Sequence, residues 1–343
     1  MRRKFMFVFL ILLLVIVAAG SGCLPGESEK PAPSDDAEPA RPAWQQIYTD
    51  IAFSGPSLGL ISGWHGTILR STDTGQTWSE IEVDSRADLN SVAILDGNTA
   101  VAVGSSGNIL RSADGGLTWN AVDSPTGETL NRVAPISGGS AVAVGWHGTI
   151  IYTADGGKTW SDQSRSLEPS LYLEDVDFTP EGVGMTVSSS GRVFKTTNAK
   201  DWRELTIPGK GVKLFGVDLY DADNAFAAGN LELEKAYAVG GKTVILKTAT
   251  GGIDWQFVSK NMNADLLGIQ YVGSRGVIAI GGNGEIWRSG DAGDTWQPIE
   301  SHSNRAFRAL ASADATTLCI VGDEQTIIIS RNAGYTWEKL RGS

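Results

Sequence analysis

Tryptophan recurs at positions 78, 119, 160, 202, 255, 296 and 337, with spacings of 41, 41, 42, 53, 41 and 41 residues. Each closes a similar phrase: "STDTGQTW", "SADGGLTW", "TADGGKTW", "TTNAKDW", "TATGGIDW", "SGDAGDTW" and "SRNAGYTW". Ahead of each phrase lies an alternating run such as "GNILRS", before it a run such as "TAVAVG", and earlier still a run such as "LNSVAIL". Alternation bounded by glycine-rich turns marks strands. Four short strands every ~41 residues, repeated seven times with hardly a helical pattern, predict an all-β fold: a seven-bladed β-propeller of four-stranded antiparallel blades. From Trp44 to Ser343 there are 300 residues, about 43 per blade, so one propeller accounts for residues 44–343. Trp44 in "AWQQIYTD" parallels Trp78 in "TWSEIEVD", which predicts a spare strand that closes the ring by adding to the last blade.

Residues 1–22 read as a signal peptide: a basic start, an apolar run from Phe5 to Ala19, then small residues. The small residues leading to Cys23 resemble the bacterial lipobox, whose cysteine receives a lipid, although Gly20 stands where that motif has leucine. If Gly20 blocks cleavage, the run stays as a short uncleaved anchor. Either way the bulk of the chain is expected on the non-cytoplasmic side of a membrane, in a periplasm, on a cell surface or in a thylakoid lumen. Residues 23–43, rich in Pro, Ala and charge with no apolar periodicity, are expected to form a disordered tether. The second cysteine, Cys319 in "TLCIVG", reads as a buried small hydrophobe.

With 39 acidic and 28 basic residues the chain carries a net charge of −11. Such a chain repels phosphate backbones and anionic lipid, so nucleic acid is not an expected partner.

The tryptophan-closed phrase, S/T-x-D/N-x-G-x-T-W, resembles the Asp-box or BNR repeat, and five of the seven copies match well. Its expected role is structural. The acidic side chain accepts backbone N–H bonds of its own turn, the glycine permits positive φ, and the indole fills the gap between sheets. Asp73, Asp114, Asp155 and Asp291, with Trp78, Trp119, Trp160, Trp296 and Trp337, are therefore expected to be structural, and Asn198 and Thr250 mark weaker turns. The regular spacing, the lipoprotein-like leader and the phrase "GxxGTIL" followed by R/K, S/T and "xDGGxTW" resemble the photosystem II stability and assembly factors over roughly seven-eighths of the chain. That resemblance implies a scaffold or assembly factor. The acidic balance argues against a large basic docking surface.

No sialidase-type "RIP" phrase occurs, and no phosphate-binding glycine loop, so no cofactor is expected. A two-carboxylate glycosidase pair stays open, because carboxylates from distant blades can converge. No acidic residue stands out from its repeat equivalents in a way that suggests such a pair.

"GWHG" occurs at 63–66 and 145–148, where other repeats have "GSSG", "SSSG" or "GGNG" in the turn between second and third strands. Turn geometry is satisfied by Ser, Gly or Asn. It asks for none of Trp64, His65, Trp146 or His147. Two blades apart on a seven-fold ring, His65 and His147 are roughly 19 Å from each other. Ligands sharing a zinc lie within about 4 Å, so no shared metal is expected. The indoles either pack on crossover loops or stand exposed as partner anchors. About 12 extra residues, "LELEKAYAVGGK", fall in the same turn of another repeat. Arg132, Arg308, Asp50 and Asp175 start innermost strands, with Arg305 nearby, giving mixed charge at the channel mouth. Arg70, Arg111, Lys195, Lys247 and Arg288 recur at one position of the third strands and read as packing residues.

The expectation is a non-enzymatic, membrane-tethered, monomeric propeller that docks a membrane protein or membrane-associated complex through the Trp-His face. The alternative is a glycan-binding or glycoside hydrolase propeller of sialidase type.

Overall fold

The second strand of most repeats is apolar at successive positions, as in "AVAVG", and all five of those residues are buried. A strand covered on both faces loses the usual alternation. The outermost strands, by contrast, are short and exposed, as at Asn120–Ala121. This inside-to-outside gradient is what a radial stack of sheets produces.

The computed structural model describes residues 46–164, 168, 170–231, 243–259 and 262–342. Within them the chain forms seven four-stranded antiparallel sheets, each built from strands consecutive in sequence. The blades span residues 48–81, 89–121, 130–162, 173–205, 212–257, 266–299 and 307–341. The predicted seven-bladed propeller is thus the fold. The leader, Cys23, the tether, Trp44 and the insertion at 232–242 lie outside the described residues.

There is no single core. Seven apolar clusters each straddle two neighbouring blades, and one, in which Tyr48, Ile51, Ile61 and Leu69 meet Cys319, Val321, Ile327 and Ile329, joins blade 1 to blade 7. Each fully buried Leu or Ile contributes about 1.5–3 kcal/mol, so the ring is held by side-chain burial between blades. Cys319 is fully buried in that closing cluster, and burial pushes its thiol up to about 12.

The spare outer strand is not found among the described residues, where the last blade completes its own sheet with Glu338–Arg341. The reason is spacing. Trp78 precedes the first inner-strand residue of the next blade, Leu89, by eleven positions, whereas Trp44 precedes its equivalent, Tyr48, by four. Four residues cannot hold an outer strand and a crossover. Gln46 and Ile47 instead take the place of a crossover. The Gln46 carbonyl accepts the N–H of Gln325 at 3.1 Å, and that of Ile47 accepts the N–H of Trp64 at 3.1 Å.

The turn glycines have a steric cause. A Cβ on Gly66 would lie 1.9 Å from the Ser85 carbonyl oxygen, and one on Gly107 2.1 Å from that of Thr126, both in crossovers. The residue before each glycine, His65, Ser106 or His147, has φ of 61°, 54° or 55°.

Candidate functional site

Every innermost strand carries a register shift near its start, placing one extra residue at the mouth of the central channel: Thr49, Asn90, Asn131, Glu174, Phe215, Leu267 and Arg308. A bulge of this kind re-aims a side chain. Below it, Asp50, Ser91, Arg132, Asp175, Gly216, Gly268 and Ala309 share one register position, and two residues on are Ala52, Ala93, Ala134, Asp177, Asp218, Gln270 and Ala311. The channel is therefore polar through blades 1–5 and largely apolar on the rest of its wall. Blades 5 and 6 approach so closely that a Cβ on Gly216 would lie 3.0 Å from the Gly268 Cα.

The polar side is stitched from blade to blade. Thr49 Oγ1 donates to the Leu89 carbonyl at 2.6 Å, Asn90 Nδ2 to that of Leu130 at 2.9 Å, and Asn131 Nδ2 to that of Leu173 at 2.8 Å. Deeper, the Val92 N–H and the Ser91 hydroxyl donate to Asp50 Oδ2 at 3.0 and 2.6 Å. The Val217, Leu219 and Tyr271 N–H groups donate to Asp175, Asp177 and Asp218 at 2.9, 2.8 and 2.7 Å. Each carboxylate thus caps the inner strand of the next blade.

Arg132 bridges two of these acids, with Nη1 2.5 Å from Asp50 and Nε 3.0 Å from Asp175. Burial works against its charge, but Asp50 and Asp175 outweigh it and hold the guanidinium above its ordinary value. Burial is also the first cause raising Asp175, to about 6, against the opposing effect of Arg132. Asp177 and Asp218 are raised too, first by burial, with the charges of neighbouring carboxylates adding to it.

The two Trp-His turns stand at the rim of this channel. Trp64 and Trp146 are 37% and 44% exposed, and both line a cavity of about 820 Å³ that runs down the channel. Trp146 packs edge-on against Tyr172 at 5.6 Å between centroids yet keeps an exposed face, while Trp64 meets only its own neighbour His65 among the ring contacts of the described residues. The histidines face separate carboxylates, His65 Nδ1 lying 3.5 Å from Asp88 and His147 Nδ1 2.7 Å from Glu128. At the same rim Arg305 pairs with Glu324 at 2.9 Å and Arg308 with Asp323 at 2.8 Å.

The Asp-box turns lie at the opposite ends of the third strands. Asp114 Oδ1 accepts the N–H groups of Leu117 and Thr118 at 3.0 and 2.9 Å, its Oδ2 accepts the Thr118 hydroxyl at 2.6 Å, and Asp73, Asp155 and Asp291 hold their own threonines in the same way. Trp78, Trp119 and Trp296 donate their indole N–H to the glycine carbonyl three residues back, while Trp160, Trp202, Trp255 and Trp337 are buried. In the degenerate copies Asn198 Oδ1 still accepts two N–H groups and Thr250 Oγ1 one. The basic ring binds these turns to the preceding blade: Arg70, Arg111, Lys195 and Arg288 donate to the carbonyls of Gly115, Gly156, Gly251 and Ala333.

Sequence reasoning named Asp50, Arg132, Asp175, Arg305 and Arg308, and the structure pairs each with an opposite charge. It missed Asp177, Asp218, Glu174 and Tyr172. Asp177 and Asp218 occupy a position that is alanine in blades 1, 2, 3 and 7, so these two acids stand apart from their repeat equivalents. Aligning "LEDVDF" and "FGVDL" with "LNSVAI" by strand register exposes it.

The family model for the photosynthesis system II assembly factor YCF48 matches residues 38–308, which is 271 of the 343 residues. No curated protein matches the chain. Among solved structures, YCF48 bound to D1 peptide is 22% identical with a TM-score of 0.68, covering 84% of this chain and 94% of that one. YCF48 from Cyanidioschyzon merolae is 20% identical with a TM-score of 0.66, covering 84% and 96%. The GH74 xyloglucanase from Xanthomonas campestris is 15% identical with a TM-score of 0.69, covering 87% of this chain but 55% of the enzyme. At these identities the likenesses speak for the propeller fold.

Proposed function

Since this chain belongs to the photosynthesis system II assembly factor YCF48 family, we propose that it is a non-enzymatic scaffold that docks a peptide segment of a membrane protein at the channel mouth. The observation that carries this reading is the open cavity of about 820 Å³ with the exposed rings of Trp64 and Trp146 at its rim. Exposed tryptophans beside a concave surface are the usual anchors of protein recognition. A structural relative described as YCF48 bound to D1 peptide supports a peptide as the ligand. Of the channel carboxylates, Asp50 and Asp175 are held by Arg132, while Asp177 and Asp218 each accept a strand N–H. The chain works as a monomer outside the cytoplasm, held at the membrane through the acylated Cys23 and the tether of residues 23–43, and uses no cofactor or nucleic acid.

The test is crosslinking of the protein in its own membranes, with captured proteins identified by mass spectrometry, for wild type and the Trp64→Ala, Trp146→Ala double variant. One membrane protein is expected above a mock control and lost in the double variant, whose melting stays near wild type. Unchanged capture overturns the reading. Under the glycan alternative the same variant loses oligosaccharide binding instead.

A further inference from the structure

Alanine satisfies the propeller at the position of Asp177 and Asp218 in four of the seven blades. Carboxylates there are not needed to close the ring, and they are costly, because a narrow cavity strips them of hydration. Charge in the cavity is also unbalanced. Arg132 is shared between Asp50 and Asp175, and Arg308 at the mouth is engaged by Asp323. Among the described residues neither Asp177 nor Asp218 makes an ion pair, and in the same layer Gln270 Oε1 is buried without a donor. The missing component is a cation that brings N–H donors.

Around the mouth are the exposed rings of Trp64, Trp146 and Tyr172. The acid layer lies three residues down the inner strand from the bulge at Glu174, about 10 Å below the mouth. That is deeper than a lysine side chain extends from a backbone lying flat across the rim, so the backbone itself must dip into the opening.

We propose that the cavity takes a basic side chain, lysine or arginine, at a loop tip or chain end of the partner segment, with its charged head at Asp177 and Asp218 and its apolar neighbours on the rim aromatics. The docked segment would then bring positive charge into an acidic channel, which is charge complementarity of the kind that fixes register and partner choice. This rests on the docking reading above and names the chemistry of the docked segment.

The experiment is retention of a positional-scanning decapeptide library by the immobilised full-length protein, for wild type and for Asp177→Asn with Asp218→Asn. Asparagine keeps the oxygen that accepts the Leu219 and Tyr271 N–H groups, so the double variant is expected to stay folded, and circular dichroism melting verifies it. Enrichment of Lys or Arg at one library position is expected for wild type, falling by about tenfold in the variant. Enrichment of neutral or acidic residues, or a basic preference that the variant keeps, overturns the inference and leaves the docking reading standing. No retention above a heat-denatured control overturns both.

Discussion

Asp114 in an Asp-box turn and Asp177 in the channel both accept backbone N–H groups, the first from Leu117 and Thr118 and the second from Leu219. Their acidities move in opposite directions. Asp114 is lowered to about 2, first by the Thr118 hydroxyl and next by the Thr118 N–H. Asp177 is raised, first by burial, which the Leu219 N–H only partly offsets, and the charge of Asp175 adds to the rise. Four hydrogen bonds, two of them from hydroxyls, prevail at the exposed Asp114, whereas at Asp177 burial outweighs its backbone N–H bonds. The balance between desolvation and hydrogen bonding therefore sets the sign.

This difference fixes how each set responds to pH. For the channel acids the folded values exceed the ordinary carboxylate value near 4, so their contribution to stability is full below about 4 and is lost as pH rises through the raised values. For Asp175 that loss runs from about 4 and is complete once pH passes about 6. For the turn acids the contribution is present above about 4 and is lost as pH falls towards the lowered values. For Asp114, Asp155 and Asp291 those lie at about 2.

The largest expected effect follows from removing the cation between two channel acids. Arg132→Met should cost about 3 kcal/mol at pH 7.5 by urea denaturation, because Asp50 and Asp175 lose their counter-charge. Part of the loss should return at pH 5, and an equal loss at both pH values would break the contrast between the two sets. Next comes a matched pair of substitutions. Asp177→Asn should gain about 1 kcal/mol at pH 8 and nothing at pH 4, whereas Asp114→Asn should lose about 1 kcal/mol at pH 8, both read from denaturation midpoints. Same-sign effects at pH 8 would mean that burial does not separate the two sets. At the rim, Trp146→Ala should cost about 0.5–1 kcal/mol through its lost contact with Tyr172. Trp64→Ala should stay within about 0.5 kcal/mol in the same melts. A larger cost for Trp64 would make it a packing residue rather than an exposed anchor.

The fold was legible because one indole per repeat reports the period directly. Trp78, Trp119 and Trp160 mark equivalent places in their blades, and strand alternation fills the interval. Ring closure was misread at Trp44 because the resemblance of "AWQQI" to "TWSEI" was local, while the distance to the next inner strand carried the information. Of the site, Arg132 and Asp175 were visible as charges opening inner strands. Asp177 and Asp218 were not, because an aspartate in an alternating strand looks solvent-facing until the ring curves that face onto a narrow channel. Tyr172 and Glu128 were hidden for another reason: they sit in crossovers, whose contacts with the Trp146 and His147 turn depend on tertiary placement.

The bond between Gln46 and Gln325 has a consequence for how the molecule can be held. Arg341 pairs with Ile327, and Gly342 lies against Thr326, so both ends of the described chain come to the face that carries the opening, the C-terminal end on the outermost strand. Those two ends and the aperture share one side. The Asp-box turns, at the opposite ends of the third strands, form the face farthest from both ends of the described chain.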